Sequence, residues 1–88
     1  GLGAHFAAVL HGVGAQVVVT ARRADRLETH AAELPGAHVV TADMADEAAM
    51  STTDLCFVIS VHDNQQVESA LRNLRRVHSV VRASRVIP

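Results

Sequence analysis

Tyrosine, tryptophan and lysine are all absent from this 88-residue chain, and Phe6 and Phe57 are its only aromatic residues. Without large aromatics, the core has to be built from valine, leucine, isoleucine and alanine, a composition that suits a sheet covered by alanine-rich helices. There is one cysteine, Cys56, so no internal disulfide can form, and its placement within an apolar run gives it no neighbouring base. No apolar stretch approaches the length of a membrane span, and no cationic leader followed by an apolar run opens the sequence. These absences predict a protein that meets no membrane and resides in a reducing, cytoplasmic setting. Eight basic side chains against nine acidic ones leave a formal charge of -1. That balance argues against a surface that tracks nucleic-acid phosphates.

What is present is organised by hydrophobic period into one domain covering residues 1–88. Leu2, Phe6, Val9 and Leu10 fall at helical spacing over Leu2–His11, with Gly12 and Gly14 to stop the helix. Gln16–Ala21 reads as a strand buried on both faces. A second helix is predicted over Ala24–Leu34, on the stripe Leu27, Ala31 and Leu34, ended by Pro35-Gly36. Ala37–Ala42 is a short strand, and Asp43–Met50 a loop with at most two helical turns. The apolar run inside Thr53–His62 predicts the longest strand. Asp63 or Asn64 can cap a helix over Gln65–Val77, whose Val67, Ala70, Leu71, Leu74 and Val77 share a face. The alternation of Ser79–Ile87 predicts a last strand that Pro88 ends.

With the first helix set aside, the order is strand, helix, strand, strand, helix, strand. Two split βαβ units of this kind predict an α+β, ferredoxin-like βαββαβ fold with an extra N-terminal helix, an antiparallel sheet, and both crossover helices on one face. A Rossmann-like parallel sheet is the rival, because the link Asp43–Thr53 is long for a hairpin and has room for a crossover.

The residues Gly1-Leu2-Gly3, the helix through Leu10, Gly14-Ala15-Gln16-Val17-Val18-Val19, Ala21-Arg22-Arg23, Arg26-Leu27 and Val39-Val40 leading to Asp43 carry a likeness. In them the first segment, about residues 1–50, resembles the N-terminal region of the short-chain dehydrogenases/reductases, Rossmann-fold enzymes that use NAD or NADP. The resemblance implies that Gly1 and Gly3 are the last two glycines of the phosphate-binding turn. It also implies that Arg22 or Arg23 faces the ribose 2′-phosphate of NADP and that Asp43 lies beside the adenine. The family's first strand and first glycine have no counterpart in the sequence. Its catalytic tyrosine and lysine have none either, so hydride transfer has no residues to run it.

The second segment, about residues 53–88, resembles the closing strand-helix-strand of ACT domains, most closely those of alarmone synthetases related to GTP pyrophosphokinase. The matching residues are Leu55-Cys56-Phe57-Val58-Ile59-Ser60-Val61, then Val67 with Leu71-Arg72-Asn73-Leu74-Arg75-Arg76-Val77, then Ser79-Val80-Val81-Arg82-Ala83-Ser84-Arg85. ACT domains are ferredoxin-like regulatory modules that pair across dimers and bind amino acids near the first strand-helix turn, which lies in the half that the other resemblance occupies here.

The two resemblances meet near Ser51-Thr52. The expectation is therefore a recombined or artificial chimera, a synthetic rather than natural domain, with no enzyme activity, no metal and no required cofactor or small molecule. Its one anticipated partner is a second copy, through an exposed strand edge or helix face. Two further readings stay open: a weak NADP or adenine-nucleotide remnant on Gly1, Gly3, Arg22, Arg23 and Asp43, and an ACT-like small-molecule module. His5, His11, His30, His38, His62 and His78 lack zinc-ligand spacing. Arg72, Arg75, Arg76, Arg82 and Arg85 lack aromatic neighbours and read as solvated surface.

Overall fold

The computed structural model describes residues 2–86; Gly1, Ile87 and Pro88, which the sequence reading placed at a phosphate turn and at a strand end, lie outside the described residues. Helix α1, Leu2–Gly12, buries Phe6 and Leu10 completely, as their spacing of four requires. It ends in a paired backbone motif: Gly14 N–H donates to the His11 carbonyl (3.0 Å) and Ala15 N–H to the Leu10 carbonyl (3.1 Å). Gly14 has φ +87°, so glycine closes the helix in the left-handed conformation. Strand β1, Gln16–Ala21, follows directly.

Helix α2 is shorter than its apolar stripe implies, Leu27–Glu33, and Leu27 is its one buried residue. Its N-cap, Arg26, supplies no side-chain acceptor, and the preceding turn is closed by the Ala24 carbonyl, which accepts from Leu27 and Glu28 N–H. Leu34-Pro35-Gly36-Ala37 is a tight turn in which Ala37 N–H donates to the Leu34 carbonyl (3.2 Å), with Gly36 at φ +73°. The Gly36 carbonyl also accepts from Val61 N–H (3.0 Å), tying the turn to the end of the next hairpin.

Strands β2, Ala37–Asp46, and β3, Ser51–Ser60, form a hairpin paired over its full length, from Ala37↔Ser60 to Asp46↔Ser51. The expected loop over Asp43–Met50 is thus reduced to Glu47–Met50. Alanine, aspartate and glutamate favour loop or helix locally, but Ser51, Thr52 and Thr53 supply β-favouring partners, and Met44 continues the buried alternation of Val40 and Ala42. The turn is held by Ala49 N–H donating to Asp46 Oδ1 (3.2 Å) and by Met50 N–H donating to the Glu47 carbonyl (3.3 Å). Met50 adopts φ +51°. Helix α3, Asn64–Arg75, is capped by Asp63, whose Oδ1 accepts from Gln66 N–H (3.0 Å) while the Gln66 side chain accepts in return from His62 N–H. Strand β4 spans Val80–Val86.

The sheet order is β1-β3-β2-β4 with every neighbouring pair antiparallel. The fold is a small α+β domain whose βαββαβ order and antiparallel sheet are compatible with the ferredoxin-like type, with β4 beside β2 rather than β1, and the parallel Rossmann-like alternative is excluded. Residues 1–50 and 53–88 each contribute two strands to this one sheet.

The helices do not share a face, contrary to expectation. Two crossovers of one hand share a face only if β4 adds beside β1. Here β4 adds beside β2, so β1-α2-β2 and β3-α3-β4 step across the sheet in the same direction while their strands run oppositely, which sends α2 and α3 to opposite sides. Phe6, Leu10, Val67, Ala70 and Leu74 of α1 and α3 pack on Val40, Ala42, Met44, Phe57 and Ile59. Leu27 packs with Val39, Cys56 and Val58 on the other side. Phe6 and Phe57 meet edge-on with centroids 6.2 Å apart, an arrangement worth about 0.5–1.5 kcal/mol beyond the area buried.

Two left-handed positions lead to opposite expectations. A Cβ on Gly36 would lie 2.8 Å from the Val61 carbonyl oxygen, so Gly36→Ala should lower unfolding free energy by about 2 kcal/mol. Met50 is 93% exposed, so Met50→Gly relieves strain without losing packing and should raise stability by about 0.5 kcal/mol after the entropy of the unfolded glycine is counted. Urea denaturation of both variants reads the two signs.

Candidate functional site

A concavity of about 510 Å³ opens on the α1 side of the hairpin. Met44 and Leu55 give it apolar walls; Gly3, Ala45 and Thr53 complete the enclosure with Arg22, Asp46 and Glu47. Arg22 is carried there by its position just after β1, and Asp46 and Glu47 by the hairpin turn. Among its described lining residues, then, two carboxylates face one guanidinium, a balance that works against a phosphate.

The residues named from the sequence are distributed as follows. Gly3 and Arg22 share this cavity, while Gly1 lies outside the described residues. Gly3 sits within the first turn of α1, and a Cβ there would meet nothing within 4 Å, so no close backbone approach demands glycine. Arg23 is exposed and lines a separate surface concavity with Ala21, Arg22, Asp25 and Arg26. Asp43 is half-buried on β2, opposite Asp54 on β3 and Arg82 on β4, and its alternation with Val39 and Thr41 puts it on the α2 side of the sheet. The sheet therefore stands between Asp43 and the Gly3–Arg22 cavity.

On the α2 side, polar groups converge where the short helix leaves the sheet uncovered. Cys56 is buried, and its thiol lies 3.5 Å from Thr41 Oγ1 and 3.9 Å from both the Arg22 carbonyl and Asp54 Oδ2. Burial is the main cause that pushes the thiol pKa up; the Thr41 hydrogen bond opposes this, and the carboxylates of Asp54, Asp43 and Asp25 reinforce it. A thiol held neutral in this way is a poor nucleophile and a poor metal ligand. The grouping of Thr41, Asp43, Asp54 and Cys56 was open to sequence reasoning through period two, once Asp43 is placed in a strand rather than a loop.

A smaller groove, about 230 Å³, runs between α2 and the ends of β2 and β4, past Glu28, Ala31, His38, Arg85 and Val86. Burial, and then the Arg85 charge, lower the His38 pKa below its usual range. Among the arginines of the C-terminal segment, Arg75 is turned back onto the fold, its Nε donating to the Ala83 carbonyl (3.1 Å). Among the described residues, no three histidine, cysteine or acidic side chains converge as a metal site, and no helix is long and apolar enough to cross a membrane. No family model, curated protein or solved structure matches this chain.

The raised thiol pKa has a defined consequence. Above the thiol's ordinary value of 9.0, the unfolded chain releases its Cys56 proton while the folded chain retains it, so this contribution to stability is intact below that pH and falls as pH rises beyond it. Denaturation midpoints of wild type and Cys56→Ala, followed across that range, should diverge in slope, with the alanine variant lacking the thiol-dependent decline.

Proposed function

We propose that this chain is a recombined chimera without catalytic activity, and that its one biochemical property is self-association of the folded domain into a homodimer. The observation that carries the reading is the pair of open sheet edges. Strands β1 and β4 each have a single neighbour, and each exposes a valine: Val18 is 44% exposed and Val81 64%. An edge of this kind offers unpaired backbone groups together with apolar surface to a second strand.

The chimera reading gains support from where the two family resemblances change over. That point falls at the β2–β3 turn, so each segment keeps an intact strand-helix-strand unit, β1-α2-β2 before it and β3-α3-β4 after it. The absence of catalysis rests on chemistry the sequence does not contain: no tyrosine, no lysine and one cysteine, the last with its thiol held neutral. A cytoplasmic setting belongs to the same proposal, on the strength of the lone thiol.

A second reading, a weak adenine-nucleotide remnant, is favoured by one observation: Gly3 and Arg22 line a common cavity. Against it stand the two carboxylates of that cavity and the position of Asp43 across the sheet.

Sedimentation at two widely separated concentrations tests the main reading. The expected result is a shift from monomer toward dimer at the higher one, and a strictly monomeric species throughout counts against it. Titration with NADP, read from the backbone amide shifts of Gly3, Arg22, Arg23 and Asp43, should leave all four unmoved at millimolar cofactor. Saturable shifts at Gly3 and Arg22 would instead establish the second reading.

A further inference from the structure

We infer that the self-association surface is the outer edge of β1 and that its occupant is the β1 of a second copy, paired antiparallel about a two-fold axis. This rests on the self-association reading above and adds to it which edge is used. Irregularity does not choose between the two edges, since both carry a bulge, with Val18 skipped in the β1–β3 register and Val81 in the β2–β4 register. Charge does.

Strand β4 carries Arg82 and Arg85. Two-fold pairing of β4 with its counterpart would bring the two arginines of each copy, four like charges, into one short seam. The Ala83 carbonyl also already accepts from Arg75 Nε, so an incoming strand meets a guanidinium laid against the backbone it must reach.

Strand β1, Gln-Val-Val-Val-Thr-Ala, has neither charge nor proline over its length. A two-fold pairing centred between Val18 and Val19 brings valine against valine and sets Gln16 opposite Ala21. It also carries Arg22 and Arg23 of each copy alongside Ala15 and Gly14 of the other, where α1 ends. The C-terminal end of a helix carries partial negative charge, so cations are favoured there. The β1 edge therefore combines apolar contact at its centre with complementary electrostatics at its ends, whereas on the β4 edge like charge opposes the apolar contact that Val81 offers. A pair of six-residue strands covers less than the standard interface of about 1,600 Å², so the dimer is weak and populated toward millimolar rather than micromolar protein.

Sedimentation velocity over a micromolar-to-millimolar series, on wild type, Val18→Lys and Val81→Lys, tests the assignment, with circular dichroism and thermal melts reporting that each variant is folded. The expected result is dimerisation of wild type and of Val81→Lys, and an association at least about tenfold weaker for Val18→Lys. Wild type that dimerises while Val18→Lys matches it overturns the β1 edge and leaves self-association standing; wild type that stays monomeric throughout overturns both. Amide exchange on the wild-type protein gives an independent readout that needs no variant. Protection of 17–21 that rises with concentration supports the β1 edge, and such protection confined to 80–86 refutes it.

Discussion

The pairing of β2 with β3 over ten residue pairs is the constraint on which the other elements depend, because both of its faces are buried against different helices. Val40, Ala42, Phe57 and Ile59 point to the side of α1 and α3, while Val39, Cys56 and Val58 point to the side of α2. In a sheet with one wet face, a one-residue slip is prevented by the cost of exposing apolar groups to water. Here a slip exchanges one apolar face for the other, so specification must come from volume and from the turn. Phe57 needs the space shared with Phe6, and the thin layer over Cys56 and Val58, which contains a single buried helical residue, Leu27, has no comparable room. The Asp46 side chain fixes the same register locally by accepting from Ala49 N–H at the mouth of the turn.

The unequal faces also determine where polar chemistry gathers. The α1–α3 side carries both phenylalanines and the longer apolar stripe, and α2 is one short helix laid over one end of the opposite side. Beyond α2 the sheet carries Thr41, Asp43, Asp54 and Arg82 rather than apolar groups, which lets that end stand in water. Cys56 lies at the boundary between these zones. Burial and the surrounding carboxylates act in the same direction there, both disfavouring the thiolate.

Much of this architecture was legible in the sequence, and the misreadings share a cause. The seven elements follow from apolar period and from breakers such as Gly14, Pro35-Gly36 and Asp63, each of which acts locally. The composition of residues 43–46 disfavours a strand; only the partner segment 51–54 makes them one, and pairing is not encoded in the local run. The placement of α2 and α3 on opposite faces likewise depends on whether β4 joins β1 or β2, a choice among distant edges. The pairing of Asp43 with Arg82 and of buried Ala42 with buried Ala83 accompanies the β2 solution, and neither pair can be recognised before the strands are in register. At the candidate site, the sequence named Gly3 and Arg22, which do line one cavity, but the acidic turn residues Asp46 and Glu47 reach it only through the hairpin.

On the chimera reading, the hairpin explains why unrelated segments can share an interior. The parallel end strands of each strand-helix-strand unit stand one strand apart here, and β3 fills the gap in β1-α2-β2 while β2 fills the gap in β3-α3-β4. Each segment therefore supplies the strand that the other lacks, so neither unit can complete its sheet alone. The requirement this places on the two sequences is narrow. Their inner strands must match in length and be apolar on both faces, and the helices must bring enough bulk to cover those faces. Each outer strand meets the partner segment along one edge only, β1 against β3 and β4 against β2, and its other edge is free of that demand, which is consistent with the differences between β1 and β4 in charge and in how their edges are guarded. Sequence freedom is greatest where a second copy could add a strand, so any property acquired by recombination would be expected first at the outer edges rather than within the shared core.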